Sequence, residues 1–331
     1  MIRSVISGIG SYVPPKAVTN DDLAKLMTTS HEWIQTRSGI EERRFADEGV
    51  YCSDLALEAS KKAIEDAGIT KDDVDFIILA TLSPDHHFPG TGCALQDKLG
   101  IGPVGALDVR NQCTGFLYSL TVADALVRTG AYKNILVVGA EVHSSALNFT
   151  DEGRSVAVLF GDGAAAVIVS PSEEEDRGVL YTELHAEGKY AKALHLDIWD
   201  ISRKPYLTAE DLEKGQHWPA MDGGTVFKHA IIRLVEVVEH TLEKNGFTKE
   251  DVKYVIPHQA NMRINQFVAD KLKMPREKFL HNMQKYGNTT AASIPLLLDE
   301  TYRQGMLNRG DLLLLVGFGA GFTWGSALLR W

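Results

Sequence analysis

One short segment occurs twice, and no other feature constrains the fold as much. Gly68-Ile-Thr-Lys-Asp-Asp-Val-Asp-Phe-Ile-Ile aligns without gaps on Gly246-Phe-Thr-Lys-Glu-Asp-Val-Lys-Tyr-Val-Ile, matching at the glycine, threonine, lysine, second acid, valine and final isoleucine. Each copy follows an amphipathic helical pattern. In the first this is Leu55, Leu57, Ala59, Ala63, Ile64 and Ala67 within Ser53–Ala67; in the second it runs from about Val226 to Lys244. Helix, glycine stop and strand therefore recur as a unit, with Val74–Leu82 the first strand. An internal duplication is the simplest account, and it demands two similar α/β halves whose strand ends meet at corresponding places.

The halves also close alike. Asn134–Ala140 and Ser155–Val169 read as strand material, the latter interrupted by the tight turn Gly161-Asp162-Gly163, and Asp311–Arg330 repeats that plan around Gly317, Gly319 and Gly321. Continuous apolar strands of this kind belong to a sheet covered on both faces by helices. A first strand begins near Ser4 and is closed by Pro14-Pro15. The acidic stretch Ser172–Arg177 marks the boundary, giving an N-terminal half of residues 1–172 and a C-terminal half of 173–331. Between Gly188 and Gly224 lies a polar, irregular segment with His195, Trp199 and Trp218, read as a lid or tunnel-lining insertion.

Candidate chemistry sits at the ends of these elements. Ala106–Val109 reads as a short buried strand and Thr114–Thr129 as a helix, so Cys113 falls where one turns into the other. Free backbone N–H groups and the helix dipole favour an anion there, so the thiol pKa is expected to fall and the cysteine to be nucleophilic. The plain alternative is a small buried apolar residue. His258 follows Pro257 just past the end of the second repeat's strand, where ligands of open α/β sheets bind, although a hydrogen-bonded turn histidine has the same pattern. Asn288 precedes a small-residue helix start and by itself reads as an N-cap. Trp33 and Arg37 lie one turn apart in a charged segment that by itself reads as a solvated helix.

Composition limits the partners. Three cysteines at no metal-ligand spacing fit neither a disulfide framework nor a zinc site and suit a reducing compartment. A net charge of −10 without a basic block argues against nucleic acid. The opening residues carry no basic region followed by a long apolar one, and no run reaches membrane-spanning length, so a soluble cytoplasmic protein is expected.

Taken together, the chain resembles the condensing enzymes of the thiolase superfamily, and most closely the β-ketoacyl-acyl-carrier-protein synthase III family. The resemblance runs over nearly the whole chain. Its specific segments are Glu32-Trp-Ile-Gln-Thr-Arg-Ser-Gly-Ile, Cys113-Thr-Gly-Phe, Phe160-Gly-Asp-Gly-Ala, Ile256-Pro-His-Gln-Ala-Asn-Met-Arg-Ile, Tyr286-Gly-Asn-Thr-Thr-Ala-Ala-Ser-Ile-Pro and Gly319-Ala-Gly-Phe-Thr-Trp-Gly. It implies an α/β, thiolase-like fold of duplicated αβαβα halves forming a five-layered core. It also implies a decarboxylating Claisen condensation of an acyl-CoA primer with malonyl-acyl carrier protein, without a cofactor or metal.

By the same resemblance, Cys113 is the nucleophile, and His258 and Asn288 donate to the malonyl thioester carbonyl. The N–H of Cys113 and one from the loop near Ala320 form the oxyanion site. Trp33, Arg37, Arg154, Phe227, Asn261 and Arg263 line the CoA and phosphopantetheine channel, with Trp33 and Arg37 sandwiching the adenine. Arg263 supplies a local cation for an acidic carrier protein, and Phe88 closes the acyl pocket across a homodimer interface.

Four departures bear on substrate. Gln112 stands where alanine is usual and Ser38 where threonine is usual. Ala320 replaces a glycine, adding strain if that position needs positive φ. Residues 188–224 are longer than usual, which leaves a longer or branched primer open. Three other readings remain: a specialised-metabolism enzyme that transfers the acyl group without chain extension or joins two acyl chains, a non-catalytic acyl scaffold, and a Cys-His-Asn hydrolase of the papain type, which leaves the CoA-channel matches unexplained.

Overall fold

The computed structural model describes residues 2–331. Its first series of principal elements is strand β1 (Arg3–Tyr12), helices α1 (His31–Ser38) and α2 (Cys52–Asp66), strand β2 (Phe76–Ala80), helix α3 (Thr91–Leu99), strand β3 (Gly105–Val109), helix α4 (Gly115–Arg128), and strands β4 (Ile135–Glu141) and β5 (Gly163–Ser172). The second is β6 (Gly178–Ala186), α5 (Gly223–Asn245), β7 (Val252–Pro257), α6 (Met262–Leu272), α7 (Ser293–Arg303), β8 (Leu312–Gly319) and β9 (Thr323–Arg330).

The duplication is visible in the strand order. One sheet runs β1-β5-β4-β2-β3 and the other β6-β9-β8-β7. In both, the first two pairings are antiparallel and the next is parallel. The counterpart of β3 in the second half is reduced to one parallel bridge between Val255 and Phe279.

Helices α2 and α3 cover the outer face of the first sheet, α5 and α6 cover that of the second, and α4 and α7 lie between the sheets. These are the five layers of a thiolase-like fold. The central layer is fixed by Phe116, Leu117, Leu120 and Ile294 packed among Ile9, Val137, Val167, Leu313 and Leu315. Strands β4 and β8 are buried along their whole length, as their unbroken apolar runs required.

Each central helix begins with the same local geometry. A 3₁₀ turn, Gln112–Thr114, leads into α4, and Thr290–Ala292 leads into α7. The first residue of each turn has positive φ, 43° at Gln112 and 47° at Thr290, a conformation that costs a non-glycine residue about 1–3 kcal/mol. The turns are held by glycines of the opposite half. A Cβ on Gly139 of β4 would lie 2.3 Å from the Ala291 carbonyl oxygen, and one on Gly317 of β8 would meet the Leu117 Cδ1 at 3.2 Å and the Cys113 carbonyl oxygen at 3.4 Å. Each sheet thus presses a side-chain-free strand position against the other half's turn.

Two expectations need correction. Ser155–Phe160 is not strand: Arg154–Ala157 forms a helical turn, and only Phe160 makes a bridge, to Asn288. Its apolar residues Val156, Ala157 and Val158 are buried in a separate cluster with Ile34 of α1, Met27 and Met283, so packing rather than pairing explains their character. Strand β3 is not buried either. It pairs only with β2 and ends the sheet, which leaves Leu107 39% exposed, while the Asp108 carboxylate accepts from the Thr91 and Gly92 N–H groups at the start of α3.

Replacing Gly139 by alanine forces a methyl group onto backbone atoms that have nowhere to go, whereas the atoms facing Gly317 include movable side-chain ends. Gly139→Ala is expected to lower the unfolding free energy by at least about 1–3 kcal/mol and Gly317→Ala by clearly less, measured by denaturant titration.

Candidate active site

A cavity of about 310 Å³ lies between the ends of β7 and β8 and helices α1, α5 and α6. Its wall is mainly apolar, with Val226, Ala230, Leu234, Ile264 and Phe318, and the polar groups converging on it include Cys113, His258 and Asn288. The three residues singled out from separate parts of the sequence are therefore brought to one place.

Cys113 occupies the 3₁₀ turn ahead of α4 and is buried. A Cβ on Gly319 would lie 2.6 Å from the cysteine Cβ and 3.1 Å from its Sγ, so only glycine fits beside it. The backbone N–H groups of Cys113 and Ala320 both approach the sulfur and favour its anion. They do not win: burial, reinforced by the charge of Glu141, pushes the Cys113 thiol up to about 12. The lowered thiol pKa expected from the helix start is thus corrected, because desolvation of a thiolate outweighs two N–H donors here.

His258 has its N–H bonded to the Val316 carbonyl, and Ser293 Oγ lies 2.7 Å from its Nδ1. Ser293 Oγ also accepts from the Gln259 N–H at 3.4 Å. With the Ser293 hydroxyl proton donated to Nδ1, the imidazole proton is on Nε2, a buried atom without a protein partner. Burial pushes the ring down to about 3, so it is neutral at any physiological pH.

Asn288 is oriented just as firmly. Its N–H bonds the Leu159 carbonyl, its carbonyl accepts from the Gly161 N–H, and its Oδ1 accepts from the Thr290 N–H at 2.9 Å. With Oδ1 so engaged, the carboxamide NH₂ is the group left to face the cavity. Arg43, wholly buried, supports this segment by donating to the Val18 and Val158 carbonyls, and desolvation lowers its pKa to about 10.

At the mouth, the Arg37 and Arg154 guanidinium carbons lie 4.4 and 4.8 Å from the Trp33 ring centroid. Arg263 lies 5.6 Å from the Phe227 ring. Asn261 is committed to structure: it caps α6 through the Arg263 N–H and donates to the Arg37 carbonyl at 3.0 Å. Phe88 stands apart from the cavity and is 82% exposed.

Three of the four departures can be placed in the structure, and nothing in it explains Gln112. Ala320 is not among the residues of positive φ, so alanine adds no strain there. Ser38 lines the cavity and ties off α1 by donating to the Ile34 carbonyl and accepting from the Ile40 N–H. Leu194 and Met221, two ends of the 188–224 segment that pair as a two-residue ribbon, reach the cavity wall.

Sequence reasoning missed Glu141, His143 and Ser293. The signal for Glu141 was present, an acid closing the otherwise apolar run Ile135-Leu-Val-Val-Gly-Ala-Glu141. Among the described residues, no group of three or more His, Cys, Asp or Glu side chains is placed to hold a metal ion, and no helix is long and apolar enough to cross a membrane.

A frame and cavity of this kind define a thiolase-type condensing enzyme. Comparison with known proteins agrees: residues 107–188 match the family 3-oxoacyl-[acyl-carrier-protein (ACP)] synthase III, and residues 242–331 match its C-terminal model. The chain is 46% identical to the β-ketoacyl-[acyl-carrier-protein] synthase III of Xanthomonas euvesicatoria pv. vesicatoria, over 100% of this chain and 99% of that one. It is 44% identical to β-ketoacyl-[acyl-carrier-protein] synthase III 1 of Bacillus cereus, over 98% of each chain. The crystal structure of 3-oxoacyl-[acyl-carrier-protein] synthase III from Aquifex aeolicus superposes with a TM-score of 0.90 at 42% identity, covering 100% of both chains. The chain belongs to the β-ketoacyl-[acyl-carrier-protein] synthase III family.

Because His258 is held neutral, no limb of the activity profile across about pH 5 to 8 is expected to come from its titration. Ser293→Ala removes the group that fixes its tautomer and is expected to slow malonyl decarboxylation roughly a hundredfold, the loss typical of one misplaced oxyanion donor. Both are read from kcat against pH in the wild type and the variant.

Proposed function

We infer that this cavity carries out the condensation of an acyl-CoA primer with malonyl-acyl carrier protein, with Cys113 as acyl acceptor and His258 and Asn288 as enolate-stabilising donors. The observation that carries the assignment is the unpartnered His258 Nε2 at the cavity, with Ser293 Oγ 2.7 Å from Nδ1 on the far side of the ring.

In the first half-reaction the Cys113 sulfur attacks the acyl-CoA carbonyl and CoA leaves as the thiol, so one thioester replaces another. The tetrahedral oxyanion on the way is met by the N–H groups of Cys113 and Ala320. The raised thiol pKa keeps the proton on Cys113 until the attack, and that proton leaves with CoA as its thiol. In the second, malonyl thioester loses CO₂ and its electrons pass into the thioester carbonyl, which His258 Nε2–H and the Asn288 NH₂ stabilise as the enolate. The carbanion then attacks the acyl-cysteine, forming the 3-oxoacyl thioester and releasing the Cys113 sulfur as a thiolate, which takes up a proton from solvent to return to the thiol. No step calls for a cofactor.

The mouth supports the same reading. Trp33 with Arg37 and Arg154, and Phe227 with Arg263, offer flat rings and cations to the adenine and phosphates of CoA and to the phosphopantetheine arm of the carrier protein. Asn261 serves by holding the α1 and α6 ends together rather than by a free amide. A second copy of the chain is proposed at the β3 edge, because Phe88 and Leu107 are exposed apolar residues and the edge lacks a pairing partner. The halves 1–172 and 173–331 then divide the chemistry, acyl transfer in the first and decarboxylation in the second.

The test is to incubate the protein with acyl-CoAs from acetyl to tetradecanoyl without malonyl carrier protein and to weigh the intact chain. Acylation of wild type but not of Cys113→Ala, strongest at one chain length, is expected and names the primer. His258→Ala and Asn288→Ala are expected to acylate normally yet lose malonyl decarboxylation by about 10²–10³. No adduct with any acyl-CoA overturns the primer assignment.

A further inference from the structure

Behind the cavity, on the side away from substrate, lies a buried carboxylate that the condensation does not use. Glu141 ends β4 and is fully buried. Its oxygens accept from the Leu82 N–H at 3.0 Å, the Ser83 N–H at 3.1 Å, Ser83 Oγ at 2.7 Å and Thr81 Oγ1 at 3.2 Å, all just beyond the end of β2. On its other side it accepts from the Ala291 N–H at 3.4 Å. Ala291 belongs to the turn that follows Asn288, and it is wedged between Gly139 of β4 and Gly115, two residues past Cys113. The carboxylate therefore joins the end of β2 to the second half's turn at the point where that turn meets the nucleophile's.

The groups facing it are few. His143, with its Nε2 on Thr290 Oγ1, comes within 3.9 Å and is kept neutral by burial, its pKa pushed down to about 4. Cys52 shares Thr81 Oγ1, and Asp85 and Asp108 act on Cys52 from further off. The Ala291 turn that Glu141 holds packs on Gly115, two residues past Cys113, and the carboxylate charge adds to the burial that raises the Cys113 thiol. No cationic side chain is paired with Glu141 in the described residues; its charge is met by N–H and O–H dipoles alone. Burial still outweighs these donors and pushes Glu141 up to about 7.

Resting on the roles inferred above for Cys113 and Asn288, we propose that Glu141 is a positioning residue of the condensing site. Its carboxylate clamps the Asn288 turn against the end of β2, and its negative charge opposes a thiolate at Cys113. Glu141→Gln removes the charge and also sets an NH₂ against the donors of Leu82–Ser83 or of Ala291, whereas Glu141→Asp keeps the charge but is too short to span Ala291 and Leu82–Ser83 together. The charge effect is therefore read from the pH dependence of the Cys113 thiol, and the clamp from Glu141→Asp.

The experiment measures iodoacetamide alkylation of Cys113 against pH, following the Cys113 peptide by mass spectrometry so that exposed Cys93 does not interfere. In wild type, ionisation of Glu141 makes the thiol harder to deprotonate, so the logarithm of the rate flattens near pH 7. In Glu141→Gln the flattening disappears and alkylation at pH 8 is about tenfold faster or more, the effect of removing a like charge. Glu141→Asp keeps the flattening but loses malonyl decarboxylation roughly tenfold to a hundredfold through misplacement of Asn288. A Glu141→Gln rate within about twofold of wild type with the same slope overturns the proposal, as does wild-type decarboxylation by Glu141→Asp. Alkylation needs no substrate, and Asn288→Ala run alongside tests the condensation reading itself. If Asn288→Ala decarboxylates malonyl thioester like wild type, that reading fails while the alkylation result still decides the charge effect at Glu141.

Discussion

The structure depends on how closely two strained turns can be brought to the middle of the molecule. Gln112 and Thr290 hold positive φ at cost. What holds them is burial between sheets, with Gly139 and Gly317 allowing the backbone of each turn to sit directly on a strand of the other half. A side chain at Gly139 would separate the sheets at the level of the cavity. The same contact that assembles the halves therefore sets the geometry of Cys113 and Asn288.

Burial at this junction also sets the electrostatics. A thiol, two imidazoles, an arginine and two carboxyls lie out of water within a few residues of the cavity, and each is moved toward its neutral form. For His258 this leaves a neutral ring at physiological pH, with Ser293 on Nδ1 and no protein partner on Nε2. For Cys113 it is a restraint, with two backbone N–H groups pulling toward the thiolate and both desolvation and Glu141 pulling away. A dry site strengthens hydrogen bonds to a developing oxyanion for the same reason that it penalises a resting charge.

Sequence patterns were reliable where one physical cause dominated. The repeated helix-glycine-strand unit gave α2, α5, β2 and β7, because amphipathic spacing and a glycine stop leave little alternative. They misled where two causes produce the same pattern. Val156–Val158 are apolar because they pack on α1, not because they pair, and Ala106–Val109 is an apolar run that lies on a sheet edge. The helix-start argument for Cys113 weighed the dipole and N–H groups without the desolvation that only burial reveals.

By itself the sequence determined the duplication, the two covered sheets and the residue types able to carry acyl chemistry, because periodicity, glycine placement and side-chain type are properties of neighbouring residues. Only the tertiary structure decided that Ser293 orients His258, that Thr290 orients Asn288, that Asn261 is spent on capping, and that Glu141 joins the end of β2 to the second turn. Some of these contacts link residues far apart in the chain, and even Thr290, two residues from Asn288, takes its role from a turn fixed by packing. Hydrogen-bond direction and the exclusion of water depend on what surrounds a group in space, and no local spacing encodes that.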